Sequence, residues 1–245
     1  MLVSMRRFTL KAVVIVVAAF GAGYVIRRLS RRSKTGMTET LKGHLIRCEK
    51  AMQSTKPILR KHGFPTDNRT LTVIGFISWL VEHQESILLL VMHEKPGSAS
   101  ALFRPVVEGA YRALWINVPA TDAEVTKFND KDKIDLEFGD MATALDNAYG
   151  TGDFFQDFKT RAWKHLNSYT HGGMQQIGRR FVKNEVANNY SDEEIYEMTT
   201  SVTTIVLLTI SFFLKRHGHA DSGDRIQALL ETYGPRADGK KPAKE

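Results

Sequence analysis

Residues able to move a proton or bind an anion concentrate near the end of a helix predicted over residues 153–168. They are Lys164, His165, Asn167, Tyr169 and His171. An imidazole can act as acid or base near neutral pH, and the amide or phenol beside it can orient the ring. His165 and His171 can converge if the helix ends near Tyr169. The alternative, weighted equally, is a tight hydrogen-bonded corner formed by His171 and the two glycines after it.

A second pair suited to chemistry lies earlier in the chain. Arg104 and Glu108 are four residues apart amid apolar neighbours, so a helix would place them on one face where they can pair. The plainer interpretation is an ion pair that fixes the register of a helical bundle. The functional interpretation is a polar floor for a pocket or an anion site.

The order of these motifs resembles a known group of proteins. Arg104-x3-Glu108 in an early helix, followed by Tyr169-Thr-His-Gly-Gly173 after a later one, is similar to HEPN-like bacterial proteins related to AbiV-type abortive-infection factors. The resemblance covers about residues 70–215. It implies an all-α bundle, often dimeric, whose polar helices meet at a cleft. In HEPN ribonucleases an arginine attracts the scissile phosphate, and a histidine separated from it by four to six intervening residues helps the RNA 2′-OH attack it.

This chain departs from the ribonuclease spacing. At the family's spacing before His171 the only cation is Lys164, and lysine lacks the planar fork of arginine. Arg161 precedes His165 with one intervening residue too few. If the resemblance extends to catalysis, His171 would be the acid or base, with Arg104 or Lys164 on the phosphate and His165 nearby.

The elements that must position these residues are predicted to be helices. Periodic apolar patterns indicate helices over about 38–61, 68–93, 98–118, 133–148 and 153–168, and from 191 and 221 onward. Thr121–Glu124 and Ser191–Glu194 have the sequence of a capping box. Strand signals are weak. We therefore predict one all-α bundle over residues 37–233, preceded by one transmembrane helix and followed by a disordered polar tail over 234–245. The resemblance implies that this bundle is HEPN-like.

The segment 199–214 allows two interpretations. It contains no charged residue, but it includes several threonines and serines and follows an acidic stretch. A buried core helix is the preferred interpretation, and a second membrane span is the alternative.

The N-terminal segment 1–36 predicts a membrane anchor. Residues 8–26 form an apolar stretch about long enough to span a bilayer, with basic residues on both sides. The more basic flank follows the stretch, which favours a single-pass protein of the inner membrane with its body in the cytoplasm. A signal peptide and a translation start at Met37 are the alternatives. The one cysteine, Cys48, cannot form an internal disulfide.

The same segment explains the net charge of +7. Residues 1–36 hold eight basic and no acidic residues, whereas the body over 37–233 holds 22 basic and 25 acidic residues, a net charge of −3. Such a body has no general attraction for a phosphate backbone, so RNA would need a local site. No cofactor motif is present. A metal site at His217, His219 and Asp221 is less favoured than a polar loop.

Two functions are therefore expected. The first combines the predicted anchor with what the resemblance implies: a membrane-anchored, cytoplasm-facing protein of stress or phage defence, with a degenerate HEPN-type RNA site. The second is a non-enzymatic oligomeric scaffold or interaction protein at the membrane. A homo-oligomer is expected in either case.

Overall fold

The protein is mostly helical, with nine helices and one short hairpin in the residues described by the computed structural model, 37–182 and 185–233. The elements are α1 (Glu39–Leu59), α2 (Asn68–Met92), α3 (Pro96–Asn117), α4 (Asp122–Lys131), α5 (Phe138–Tyr149), α6 (Phe154–Thr170), α7 (Met174–Ile177), β1 (Phe181–Val182), β2 (Glu185–Val186), α8 (Asp192–Arg216) and α9 (Ala220–Tyr233). The predicted anchor over 8–26 and the predicted tail over 234–245 lie outside these residues.

Local capping explains where most helices begin. Thr38 accepts a hydrogen bond from the amide of Leu41 at the start of α1, and Asp67 accepts one from Thr70 at the start of α2. Both predicted capping boxes are present, at α4 and at α8. The predicted start of α3 at Ser98 is wrong. This helix begins at Pro96, because proline has no amide hydrogen to leave unpaired in the first turn and its φ angle already suits a helix.

The most buried element is α8. Of its most apolar 18-residue window, 94% is buried inside the bundle, in agreement with the core-helix interpretation of residues 199–214. Two of its threonines, Thr203 and Thr209, donate their hydroxyls to the carbonyls four residues earlier in the helix, at 2.8 and 2.9 Å. Polar side chains can thus lie in the core without unpaired donors.

A second helix, α2, is also long and apolar enough to cross a membrane by length and composition, and 33% of its most apolar window is buried. Both of these helices lie mid-chain, and no N-terminal span is among the described residues. The helix α2 packs along α3, and both contact α8. The helix α1 packs mainly on α8 and α9, whereas α6 lies against α3 and α5.

Close packing of α2 on α3 depends on Gly109. A Cβ atom at this position would overlap the ring of Trp79, so we expect Gly109→Ala to destabilise the fold by about 1–3 kcal/mol through overpacking. Gly75→Ala on α2 is the matched control, since nothing lies within 4 Å of a Cβ there. The control should be neutral or slightly stabilising in urea denaturation. Equal midpoints for the two variants would contradict the close approach.

The hairpin and α7 were not predicted. Phe181 pairs with Val186 and Val182 with Glu185 in an antiparallel register. Two-residue strands are too short to show an alternating pattern, and a four-residue helix is too short to show helical periodicity.

Candidate functional site

Arg104 joins α3 to the end of α6. Its Nε and Nη2 atoms each lie 2.8 Å from Oε1 of Glu108, one helical turn further along α3. Its Nη1 atom contacts Nε2 of His171, which follows α6 directly and is 67 positions away in sequence. The guanidinium also lies over the ring of Trp163, 4.9 Å from its centroid. Three of the residues singled out in the sequence are therefore brought together, and we call Arg104, Glu108, His171 and Trp163 the Arg104 cluster.

The contact between Arg104 and His171 assigns a hydrogen-bonding role to Nε2 of the imidazole. A guanidinium can only donate hydrogen bonds, so Nε2 of His171 must be the unprotonated, accepting nitrogen. The lone pair of this nitrogen accepts from Arg104, so Nε2 can act as a general base only after the guanidinium has released it.

The glycine corner directs the chain away from α6 and leaves His171 at its end. The amide of His171 donates to the carbonyl of Asn167 at 3.0 Å, which closes the last turn of the helix. Gly172 adopts a left-handed backbone with φ of 66°, and a Cβ at Gly173 would collide with Ser168. The corner that the sequence offered as the alternative is therefore present, and it also carries the histidine of the cluster.

The Arg104 cluster is open on one side. The side chains of Arg104 and Glu108 are 21% and 23% exposed, and His171 is exposed. Because Glu108 balances the charge of Arg104, an incoming anion must compete with that carboxylate for the guanidinium. Lys164 is exposed on α6, and no hydrogen bond or ion pair among the described residues joins it to Arg104.

The remaining predicted residues lie on a different side of α6. His165 and Tyr169 line a cavity of about 30 Å³, together with Tyr190 and Glu197. Such a volume has room for about one or two water molecules. Burial lowers the pKa of His165, and the charge of Lys164 lowers it further. The two histidines therefore do not form one site.

Asn167 contributes to the cluster through its backbone. Its carbonyl holds the amide of His171, whereas its side-chain oxygen is buried and has no hydrogen-bond partner among the described residues. It therefore fixes the helix end rather than orienting an imidazole ring with its amide.

Two features of the site are not evident from the sequence. Trp163 supplies the aromatic face below Arg104, and an open groove of about 480 Å³ lies between α2 and α3. Glu108 belongs to both the groove and the Arg104 cluster. The groove is lined by Thr72, Gly75, Phe76, Trp79, Pro105, Glu108, Gly109 and Arg112. The apolar periodicity of two helices indicates which residues face inward, but it does not reveal a gap between them.

The histidines near the turn before α9 pack against aromatic rings. His219 stacks on His62 with centroids 3.8 Å apart, and Phe64 contacts both His217 and His219. Within residues 37–182 and 185–233 no group of three or more His, Cys, Asp or Glu side chains is placed to hold a metal ion.

Comparison with known protein families identifies the chain at the family level. The profile described as "Family of unknown function (DUF6988)" matches residues 77–236, which is more than half of the 245-residue chain. The chain belongs to the DUF6988 family. The match begins within α2, so it takes in the Arg104 cluster, the hairpin and α8. No curated protein and no solved structure matches the chain. The family assignment is to DUF6988, and it includes neither a HEPN nor an AbiV assignment.

Proposed function

We propose that this protein is a membrane-anchored, cytoplasm-facing HEPN-like protein whose Arg104 cluster cleaves RNA, in a stress or phage-defence role. The observation that carries the proposal is the direct contact of Arg104 with His171 across 67 positions. No arginine stands at the family's spacing before His171 in the sequence. Arg104 on α3 supplies a guanidinium next to His171 instead. The anchor is residues 8–26, and the active form is a homo-oligomer.

The chemistry proposed for the site is transesterification within RNA. His171 removes the proton from a ribose 2′-OH, and the 2′-oxygen attacks the adjacent phosphorus. The bond to the 5′-oxygen breaks, which leaves a 2′,3′-cyclic phosphate, and the leaving 5′-oxygen takes a proton from water to become a 5′-OH, while His171 later returns its own proton to solvent. Arg104 stabilises the charge that develops on the phosphate oxygens. In this step the phosphate replaces His171 and part of Glu108 as partners of the guanidinium.

The RNA would reach this cluster locally, because the body over 37–233 has a net charge of −3. The groove beside Glu108 gives a strand a concave surface that adjoins the cluster. Binding should therefore depend weakly on salt compared with a protein that contacts many phosphates.

The test uses the full chain expressed in bacterial cells, with growth and RNA decay as the measurements. Replacing His171 with alanine should slow RNA decay at least about a hundredfold, the usual contribution of a general base. His171 is exposed, so the fold should survive, and an unchanged unfolding midpoint would verify this. His93→Ala is the matched control, since His93 is an exposed histidine just after α2. Wild-type decay rates in a folded His171→Ala variant would overturn the ribonuclease proposal.

A second candidate function is a non-enzymatic oligomeric scaffold at the membrane. The observation that favours it is that Arg104 already contacts Glu108, His171 and Trp163 within the protein itself. In a scaffold these contacts would only fasten α6 to α3. The double variant Arg104→Met/Glu108→Gln distinguishes the scaffold from the ribonuclease. It removes both charges and leaves no half-buried charge unpaired. A scaffold should keep its oligomeric state in this variant, whereas the ribonuclease should lose its activity.

A further inference from the structure

The exposed apolar side chains of the described residues concentrate in one short region. Four of the eight large exposed hydrophobic residues among the described residues fall on α7 and the hairpin, close together in sequence, and we refer to these four side chains as the hairpin surface: Met174, Ile177, Phe181 and Val186. Met174 and Val186 are 77% and 81% exposed. Phe181 lies directly opposite Val186 in the antiparallel pair, so both side chains are on the same face of the hairpin.

Among the described residues next to Phe181 and Val186, the charged ones lie on the other face of the hairpin or at its base. Glu185 precedes Val186 on β2, and alternation along a strand puts its side chain on the opposite face. Arg179 and Arg180 lie immediately before β1. Apolar residues bordered by basic ones are typical of a segment that lies in the headgroup region of a membrane.

The base of the hairpin and the start of α1 are both bound to the first turn of α8. Arg179 pairs with Glu194 in the first turn of α8. Two residues earlier in the same turn, Asp192 accepts a 2.6 Å hydrogen bond from the hydroxyl of Thr38. Since two residues of a helix rise only about 3 Å, the hairpin base and the start of α1 are anchored at the same end of α8.

The short chain between the proposed anchor and α1 limits how far the N-terminal end of α8 can lie from the membrane. Only residues 27–37 separate the apolar stretch 8–26 from Thr38. A fully extended chain covers at most about 3.6 Å per residue, so these eleven residues reach about 40 Å. Five of them are basic and would be held at anionic headgroups, which shortens the reach further.

We propose that the hairpin surface inserts into the headgroup region of the membrane that carries residues 8–26, giving the body a second attachment and a fixed orientation. This proposal rests on the anchor part of the proposed function. It adds to that function a lipid-binding surface formed by Met174, Ile177, Phe181 and Val186.

The test places an environment-sensitive fluorophore on Val186→Cys in the full chain, reconstituted in vesicles of phosphatidylcholine and phosphatidylglycerol. Burial raises the pKa of the Cys48 thiol to about 11, so the native cysteine should remain unlabelled at neutral pH. Leu71→Cys is the matched control, because Leu71 is an exposed apolar residue of α2 at the opposite end of that helix from the hairpin contacts.

The probe at position 186 should shift to the blue, and lipids brominated near the headgroup should quench it about twofold or more, while the probe at position 71 should not respond. A blue shift without quenching by brominated lipid would show that protein, such as a second copy, covers the surface, and would overturn the proposal. An unshifted probe on a chain that sediments with the vesicles would overturn it as well, while leaving the anchor intact. Failure of the whole chain to associate with vesicles would refute the anchor, and with it this proposal.

Discussion

Asp146→Ala is expected to destabilise the body by about 2–4 kcal/mol, because it removes the acceptor of three hydrogen bonds, two of them buried and one partly buried. The carboxylate of Asp146 on α5 accepts from the hydroxyl of Thr151 at 2.7 Å. It also accepts from the amides of Phe155 and Gln156 at 3.0 and 3.1 Å, in the first turn of α6. Asp146 is only 6% exposed, so water cannot easily replace it.

This effect should extend to the candidate site. The helix α6 carries Trp163 and ends at His171, so a displaced first turn changes where both meet Arg104. Urea denaturation followed by tryptophan fluorescence would measure the loss. Asp140→Ala is the control, since Asp140 lies on the same helix but is exposed, and it should change stability by no more than about 0.5 kcal/mol. A loss below 1 kcal/mol for Asp146→Ala would refute its role as the acceptor that holds α6.

Acid should destabilise the protein through His44. Burial is the main cause that lowers the pKa of His44 from 6.5 to about 3, and the charge of Arg47 adds to it. The residue is 1% exposed and its ring contacts Tyr196, with centroids 3.8 Å apart. The Thr199 hydroxyl already donates to Ile195, so Nε2 of His44 donates to Thr199 at 3.0 Å. A proton would therefore have to enter at Nδ1, which has no hydrogen-bond partner among the described residues.

The direction of the pH effect follows from this lowered pKa. The contribution of neutral His44 is complete above the unfolded pKa of 6.5 and is lost as pH falls from there toward 3. In this window the unfolded chain binds one more proton, so the free energy of unfolding should fall by up to about 1.4 kcal/mol per pH unit. His44→Gln stays neutral, and it should show a correspondingly flatter dependence between pH 6.5 and 4. Parallel curves for the two proteins would contradict the assignment to His44.

The helices were predictable because their signals are local. Thr38, Asp67 and the two capping boxes lie within a few residues of the amides they satisfy, so each helix start could be inferred from a short window. The buried position of α8 could be inferred from its long uncharged stretch. Asp146 shows the limit of such inference, because its amide partners are nine and ten residues away, across a turn, and belong to the next helix.

Individual pairs in the candidate site could be predicted from the sequence, but the way in which they come together could not. Arg104 and Glu108 pair across one helical turn, as their spacing indicates. The meeting of Arg104 with His171 depends on how α6 packs against α3, which no local pattern specifies. The same packing separates His165 from His171 and brings Trp163 to the guanidinium.

The packing of α1 also determines when the body can fold during synthesis. The buried face of α1, which includes Leu41, Leu45 and Met52, lies mainly against α8 and α9. Thr38 and its partner Asp192 are 154 positions apart. At about 5–20 residues per second, α1 therefore leaves the ribosome roughly 8–30 seconds before the start of α8. During that interval the apolar face of α1 is exposed, because α8 and α9 have not yet been synthesised. The nascent chain is therefore most prone to aggregation, and most dependent on chaperones, before α8 is made.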